Sequence, residues 1–171
     1  MKAYNKVTGR ISSIISIDFE HNTVLLKSED NTEDTGNVKN LFPSRENASI
    51  DNLIIMRETN ITIGCEECEE EIELYECDVI KIEYRDYITN ENREAYGIIA
   101  FDEIHGISLD FPQYETTISL NDEEIISIVY LGSSFDSDTM KEIKDDKLIE
   151  IIKEWKSEEI KECAKILQFS K

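Results

Sequence analysis

Apolar and polar positions recur in short, two-residue-period runs over most of the chain and change to a three-to-five-residue spacing near its C-terminus. Residues 7–27 predict a hairpin: Ile11, Ile14, Ile17 and Phe19 supply apolar positions, Glu20-His21-Asn22 turns the chain, and Val24-Leu25-Leu26 runs back. Residues 28–50 are polar and punctuated, which predicts a long loop with at most a short turn of helix. Residues 53–56 (Leu-Ile-Ile-Met) predict a buried strand. A polar block opens at Thr59 and contains Gly64-Cys65-Glu66-Glu67-Cys68 and a run of glutamates.

Residues 77–131 carry the strongest strand signal. Residues 79–84 alternate as a half-buried strand does, and Thr89-Asn90-Glu91-Asn92 turns into residues 96–101. His105-Gly106 breaks the pattern, Ile107, Leu109 and Phe111 resume it before Pro112, and Ile118 with Leu120 marks a short strand. Asn121-Asp122 then turns into residues 125–131. Short strands at about ten-residue spacing, with turn residues between them, predict a small β-barrel or a strongly bent sheet.

In the tail, Met140, Ile143, Leu148, Ile151, Ile152, Trp155, Ile160, Cys163 and Leu167 form an apolar stripe between Glu and Lys residues. This predicts an amphipathic helix, or two joined near Ser157, capped at its start by Asp136, Ser137 or Asp138. An apolar stripe has to be buried, either on its own sheet or on another chain. Leu148, Ile152, Trp155, Ile160 and Leu167 are the candidate seam of a homo-oligomer. The expected organisation is an N-terminal β region with a long loop (1–58), an acidic connecting segment (59–77), a small barrel (78–135) and a helical tail (136–171). The fold class is mainly β (α+β), with a C-terminal helix or helix pair.

Charge changes the picture of partners more than of fold. The chain of 171 residues has 38 acidic and 18 basic side chains, a net charge of −20. Such a surface repels nucleic acid, whose binding needs cations to displace condensed counterions, and it repels anionic membranes. It attracts basic surfaces and accelerates encounter with them. No apolar run approaches the roughly 18 residues of a membrane span. The first six residues lack the apolar core of a signal peptide, so a soluble protein in the cytoplasm is expected.

Several stretches resemble, in order, the YopX-like family of phage and prophage proteins. Residues 4–9 resemble that family's opening before the first hairpin. Residues 54–59 (IIMRET) are similar to its LMQYTG strand exit, and residues 74–82 (LYECDVIKI) to its IYEGDIVKI segment. Residues 97–102 (GIIAFD) are similar to its GxIxFD strand, and residues 129–135 to VIGNIY. The resemblance covers residues 4 to about 138. Cys77 stands where a turn glycine is usual, Asn60 replaces the glycine after Thr59, and Asp138 replaces a proline. The resemblance implies a mostly β fold with an SH3-like small barrel in a host bacterium's phage accessory region, and no catalytic residues.

Candidate chemistry is sparse. Cys65 and Cys68 have the spacing of a zinc half-site, with Cys77 nine residues on; a structural zinc needs four ligands, so Cys163, His21 or His105 would have to join. Glutamates at 66, 67, 69, 70 and 71 disfavour the thiolate that redox chemistry needs. A polar hairpin tip with two incidental thiols is the better reading, and no cofactor is expected. The glutamate run lacks the residue pattern of a calcium loop. Asp102 with Glu103 or Asp110 offers a general acid–base pair only by chance in so acidic a chain. Arg10, Lys81, Arg85 and Arg93 are the few cations available to a phosphorylated ligand. No phosphate-binding glycine loop, dinucleotide fingerprint or HExxH sequence is present. The expectation is a non-enzymatic module that binds a protein with a basic surface, such as a host nucleic-acid-binding or defence protein. A nucleotide-sequestering protein and a structural oligomer are the alternatives.

Overall fold

The computed structural model describes residues 1–27, 45–64, 71–102, 106–120 and 123–169, and side chains as far as Glu158. The chain divides into two units, residues 1–56 with 162–171, and residues 57–161. Both are built mainly from antiparallel strands.

The first unit is a five-stranded sheet of β1 (Lys2–Asn5), β2 (Arg10–Asp18), β3 (Thr23–Lys27), β4 (Arg45–Ser49) and β5 (Leu53–Met56), in the order β4-β3-β2-β1-β5. The expected hairpin is β2–β3. Its turn is held by Asp18, whose carboxylate accepts the His21 backbone N–H at 3.1 Å and contacts His21 Nδ1 at 2.8 Å, while Asn22 takes a left-handed φ of 52°. Phe19 sits in this turn and is 81% exposed, so it is not a core position. A register shift between Ile14 and Ser16 explains why the apolar spacing along β2 is not strictly two. Ala3, Val24, Leu26 and Leu53 form the core, with Ile14, Ile17, Ala48 and Ile50 against it. The expected loop over 28–50 is in part β4 and a 3₁₀ turn (Ile50–Asn52); residues 28–44 lie outside the described residues.

The second unit opens with a two-stranded ribbon, β6 (Glu58–Gly64) and β7 (Glu71–Tyr75), where an acidic connecting segment was expected. Ile61, Ile63 and Leu74 carry it onto the core of the sheet that follows, so it belongs to this unit. That sheet consists of β8 (Asp78–Asp86), β9 (Glu91–Asp102), β10 (Gly106–Phe111), β11 (Thr116–Ser119) and β12 (Ile125–Ser133). Its order is β11-β10-β9-β8-β12. In each unit the first strand is flanked by the second and the last, so the two sheets share one strand order, although the sequence shows no repeat. Ile80, Ile82, Ala95, Ile99, Leu109 and Phe111 fill one face. Ile118 from one edge and Ile125 and Ile128 from the other pack on the same cluster, so the sheet curls over its own core. Gly97 permits a close approach of β9 and β10: a Cβ there would lie 2.7 Å from Leu109 Cδ1.

The other face of β8 and β9 is covered by the tail. A short α1 (Thr139–Glu142) leads to α2 (Asp146–Phe169), one continuous helix rather than two. Its start is capped by Asp145, which accepts the Leu148 N–H at 3.1 Å, and not by Asp136, Ser137 or Asp138. Leu148 and Ile152 are wholly buried with Val79, Tyr96, Ile98 and Ile143. Buried on both faces, β9 is apolar without alternation over residues 95–99.

Candidate functional site

The turn between β7 and β8 contains the third cysteine. Cys77 takes a φ of 71°, and its buried backbone donates N–H to the Ile99 carbonyl and accepts the Ser134 N–H, both at 2.9 Å. Asp78, also buried, accepts the Tyr75 N–H at 2.8 Å. Asn60 likewise takes a positive φ, of 56°. Cys77 and Asn60 each adopt a backbone that glycine holds at no steric cost. Cys77 is thus a structural junction. Cys65 and Cys68, the other weak zinc candidates, lie outside the described residues, as do residues 66–70, Glu103 and His105. Among the described residues no group of three or more His, Cys, Asp or Glu could hold a metal ion.

The other candidate groupings stay apart or are engaged. In the β9–β10 ladder Asp110 lies opposite Ile98 and Asp102 opposite Gly106, so the two aspartates are four positions apart, about 13 Å of strand. This is too far for a shared proton. Asp110 accepts from the Thr117 hydroxyl at 3.2 Å. Lys81, Arg85 and Arg93 do converge on the β8–β9 hairpin, but Lys81 pairs with Glu94, Arg93 pairs with Asp86, both at 3.0 Å, and Arg85 donates to Asn90. Asp86 also accepts the Thr89 and Ile88 N–H groups, and these bonds hold its carboxyl below the usual range. Arg10 lies in the other unit. The three cations of the hairpin are thus engaged by acceptors of the hairpin itself.

Part of the expected oligomer seam is used within its own unit. Leu148 and Ile152 are buried under α2, and Trp155 stacks on Phe135 with ring centroids 5.8 Å apart. Lys156 lies over the same Phe135 ring, and its burial lowers its pKa. The side chains of Ile160, Cys163 and Leu167 lie outside the described residues.

Cavities also lie among the described residues of this unit. One, of about 260 Å³, lies between α2 and the sheet, where Cys77, Ile98, Ala100, Ile151 and Trp155 line it. Another, of about 290 Å³, is the open end of the curled sheet. Its wall is Tyr84 of β8, Phe111 of β10, Ile118 of β11 and Ile125 of β12, and its rim carries Tyr114 and Glu124. Tyr114 is 63% exposed in the 3₁₀ turn Pro112–Tyr114, and the next residue, Glu115, is held at a left-handed φ of 54°. These residues were not singled out by sequence. The Phe-Pro-x-Tyr-Glu run of residues 111–115 is the only local signal, since it places aromatics on both sides of a turn-forming proline.

Comparison with protein families, with characterised proteins and with solved structures finds no match to this chain. Among the described residues no helix is long and apolar enough to cross a membrane.

Proposed function

We propose that this chain is a non-enzymatic binding module that engages a protein with a basic surface, and that it belongs with the YopX-like accessory proteins of phages and prophages. The observation that carries the binding reading is charge: the chain is −20 overall, and of the cations on the second unit Lys81, Arg93, Arg57 and Lys141 are each already paired with a carboxylate. The excess acidic surface is therefore not neutralised internally, and it favours a cationic partner at long range. The left-handed backbones at Cys77 and Asn60 support the family reading, because a glycine in a relative would serve the same turns.

A host nucleic-acid-binding or defence protein fits this chemistry, because its basic groove is shaped for rows of negative charge. The test is capture on the immobilised full chain from a bacterial lysate, washed at low and then at physiological ionic strength. The reading expects a discrete basic protein retained at low salt and released as salt rises. Retention independent of salt, or retention of the chain's own copies alone, would overturn it.

A further inference from the structure

We propose that the cavity at the open end of the second unit's sheet receives an arginine side chain of the basic partner. This rests on the binding reading above and deepens it by naming the contact. The cavity walls are apolar and aromatic, so they suit the methylene stem of a long side chain. Tyr84, Phe111 and Tyr114 are among its lining residues, and the face of an aromatic ring carries a negative quadrupole that attracts a guanidinium. Glu124 places a carboxylate on the same lining, the group a planar guanidinium pairs with in fork geometry.

Size and charge both select this occupant. About 290 Å³ is at the lower edge of small-molecule pockets, enough for one side chain entering from the surface. Glu124 is the one charged residue of the lining, and the exposed Glu115 and Glu123 adjoin Tyr114 and Glu124 in sequence, so the local charge favours a cation over an anion. Tyr114 is exposed although it borders an apolar cavity. A hot spot for binding has this make-up: an aromatic anchor beside a pocket, with charge at its rim.

The test uses the full chain, isotopically labelled, titrated with a short peptide of alternating arginine and glycine, and with the same peptide carrying citrulline for arginine. Expected are saturable NMR shifts at Ala95, Ile118 and Ile125 with the arginine peptide, at least tenfold weaker with citrulline. Tyr114→Ala and Glu124→Gln should each weaken binding about tenfold, and Tyr114→Phe should retain most of it. The change is at exposed positions, and an unaltered unfolding midpoint separates lost binding from lost fold. Shifts confined to the acidic β6–β7 ribbon, or affinity unchanged in Tyr114→Ala, would overturn the arginine pocket and leave the basic-partner reading standing. Equal binding of the citrulline peptide would overturn it too, since the pocket would then be reading shape without charge. No binding of the arginine peptide, beside a basic protein captured from lysate, would likewise sink only the pocket; failure of both would sink the two together.

Discussion

Cys77 donates its backbone N–H to the carbonyl of Ile99 at 2.9 Å while holding a φ of 71°, so a residue with a Cβ occupies a turn that tethers β8 to β9. A left-handed L-residue costs about 1–2 kcal/mol relative to glycine. Glycine in its place would relieve that strain but lose the buried thiol and gain chain entropy in the unfolded state. Cys77→Gly is therefore expected to lie within about 1 kcal/mol of the parent in denaturant unfolding. Cys77→Val adds a β-branched side chain at the same φ and should lose about 2 kcal/mol or more. Equal effects of the two would show that the backbone conformation is not what limits this position.

Gly132 gives a sharper steric test. Its φ is 126°, and a Cβ there would lie 2.2 Å from Thr139 Oγ1. Thr139 is buried and its hydroxyl donates to the Leu131 carbonyl, so the neighbour has little room to move. Gly132→Ala is expected to destabilise by about 2–4 kcal/mol, combining strain and overpacking. Thr139→Ala in that background should recover only the steric part. Thermal and urea unfolding of the single and double variants measure both.

Asp145 fastens the tail. It caps α2 at Leu148, and its carboxylate also accepts from the Gln113 side chain, whose amide reaches the Tyr96 carbonyl at 2.7 Å. Lys147 donates to the Gln113 carbonyl as well. Asp145→Ala should cost about 1–2 kcal/mol. It should also speed amide exchange at residues 147–150 before it affects β8. Asp138→Ala, which removes an exposed residue that does not cap α2, should leave those amides unchanged.

Alkaline pH should weaken the second unit. Tyr75, 9% exposed, is pushed up to about 12 by burial and by its hydroxyl's hydrogen bond to Glu73, and Tyr130 is pushed up to about 12 by burial with Asp78 and Asp136 nearby. Both groups are neutral when protonated, and the fold favours that form. Their stabilisation is thus fully present below about pH 10, the unfolded value, and is lost as pH rises toward 12. Unfolding midpoints followed from pH 9 to 12 should fall, and fall less in a Tyr75→Phe, Tyr130→Phe double variant. An identical fall in both proteins would assign the effect elsewhere.

What the chain disclosed in advance follows from where its apolar side chains go. The alternation of residues 79–84 marks β8 because one face meets the core, and the spacing of Leu148 and Ile152 marks α2 because one face meets the sheet. The same spacing does not say which surface buries the stripe; here Val79, Tyr96 and Ile98 do so for the first two turns. β4, Arg-Glu-Asn-Ala-Ser, is an edge strand with mostly exposed side chains, so no apolar period reveals it, and the shared strand order of the two units was hidden with it. The arginine pocket was illegible for another reason. Tyr84, the Phe111–Tyr114 turn and Glu124 are separated in sequence and come together only because the sheet curls.

The binding reading is tested most directly by the ionic-strength dependence of what the immobilised chain retains from a bacterial lysate. The account predicts one discrete basic protein, bound at low salt and released near physiological strength, with retention weakened by Tyr114→Ala. A partner of acidic or neutral character, or one held equally at both salt concentrations, would contradict it.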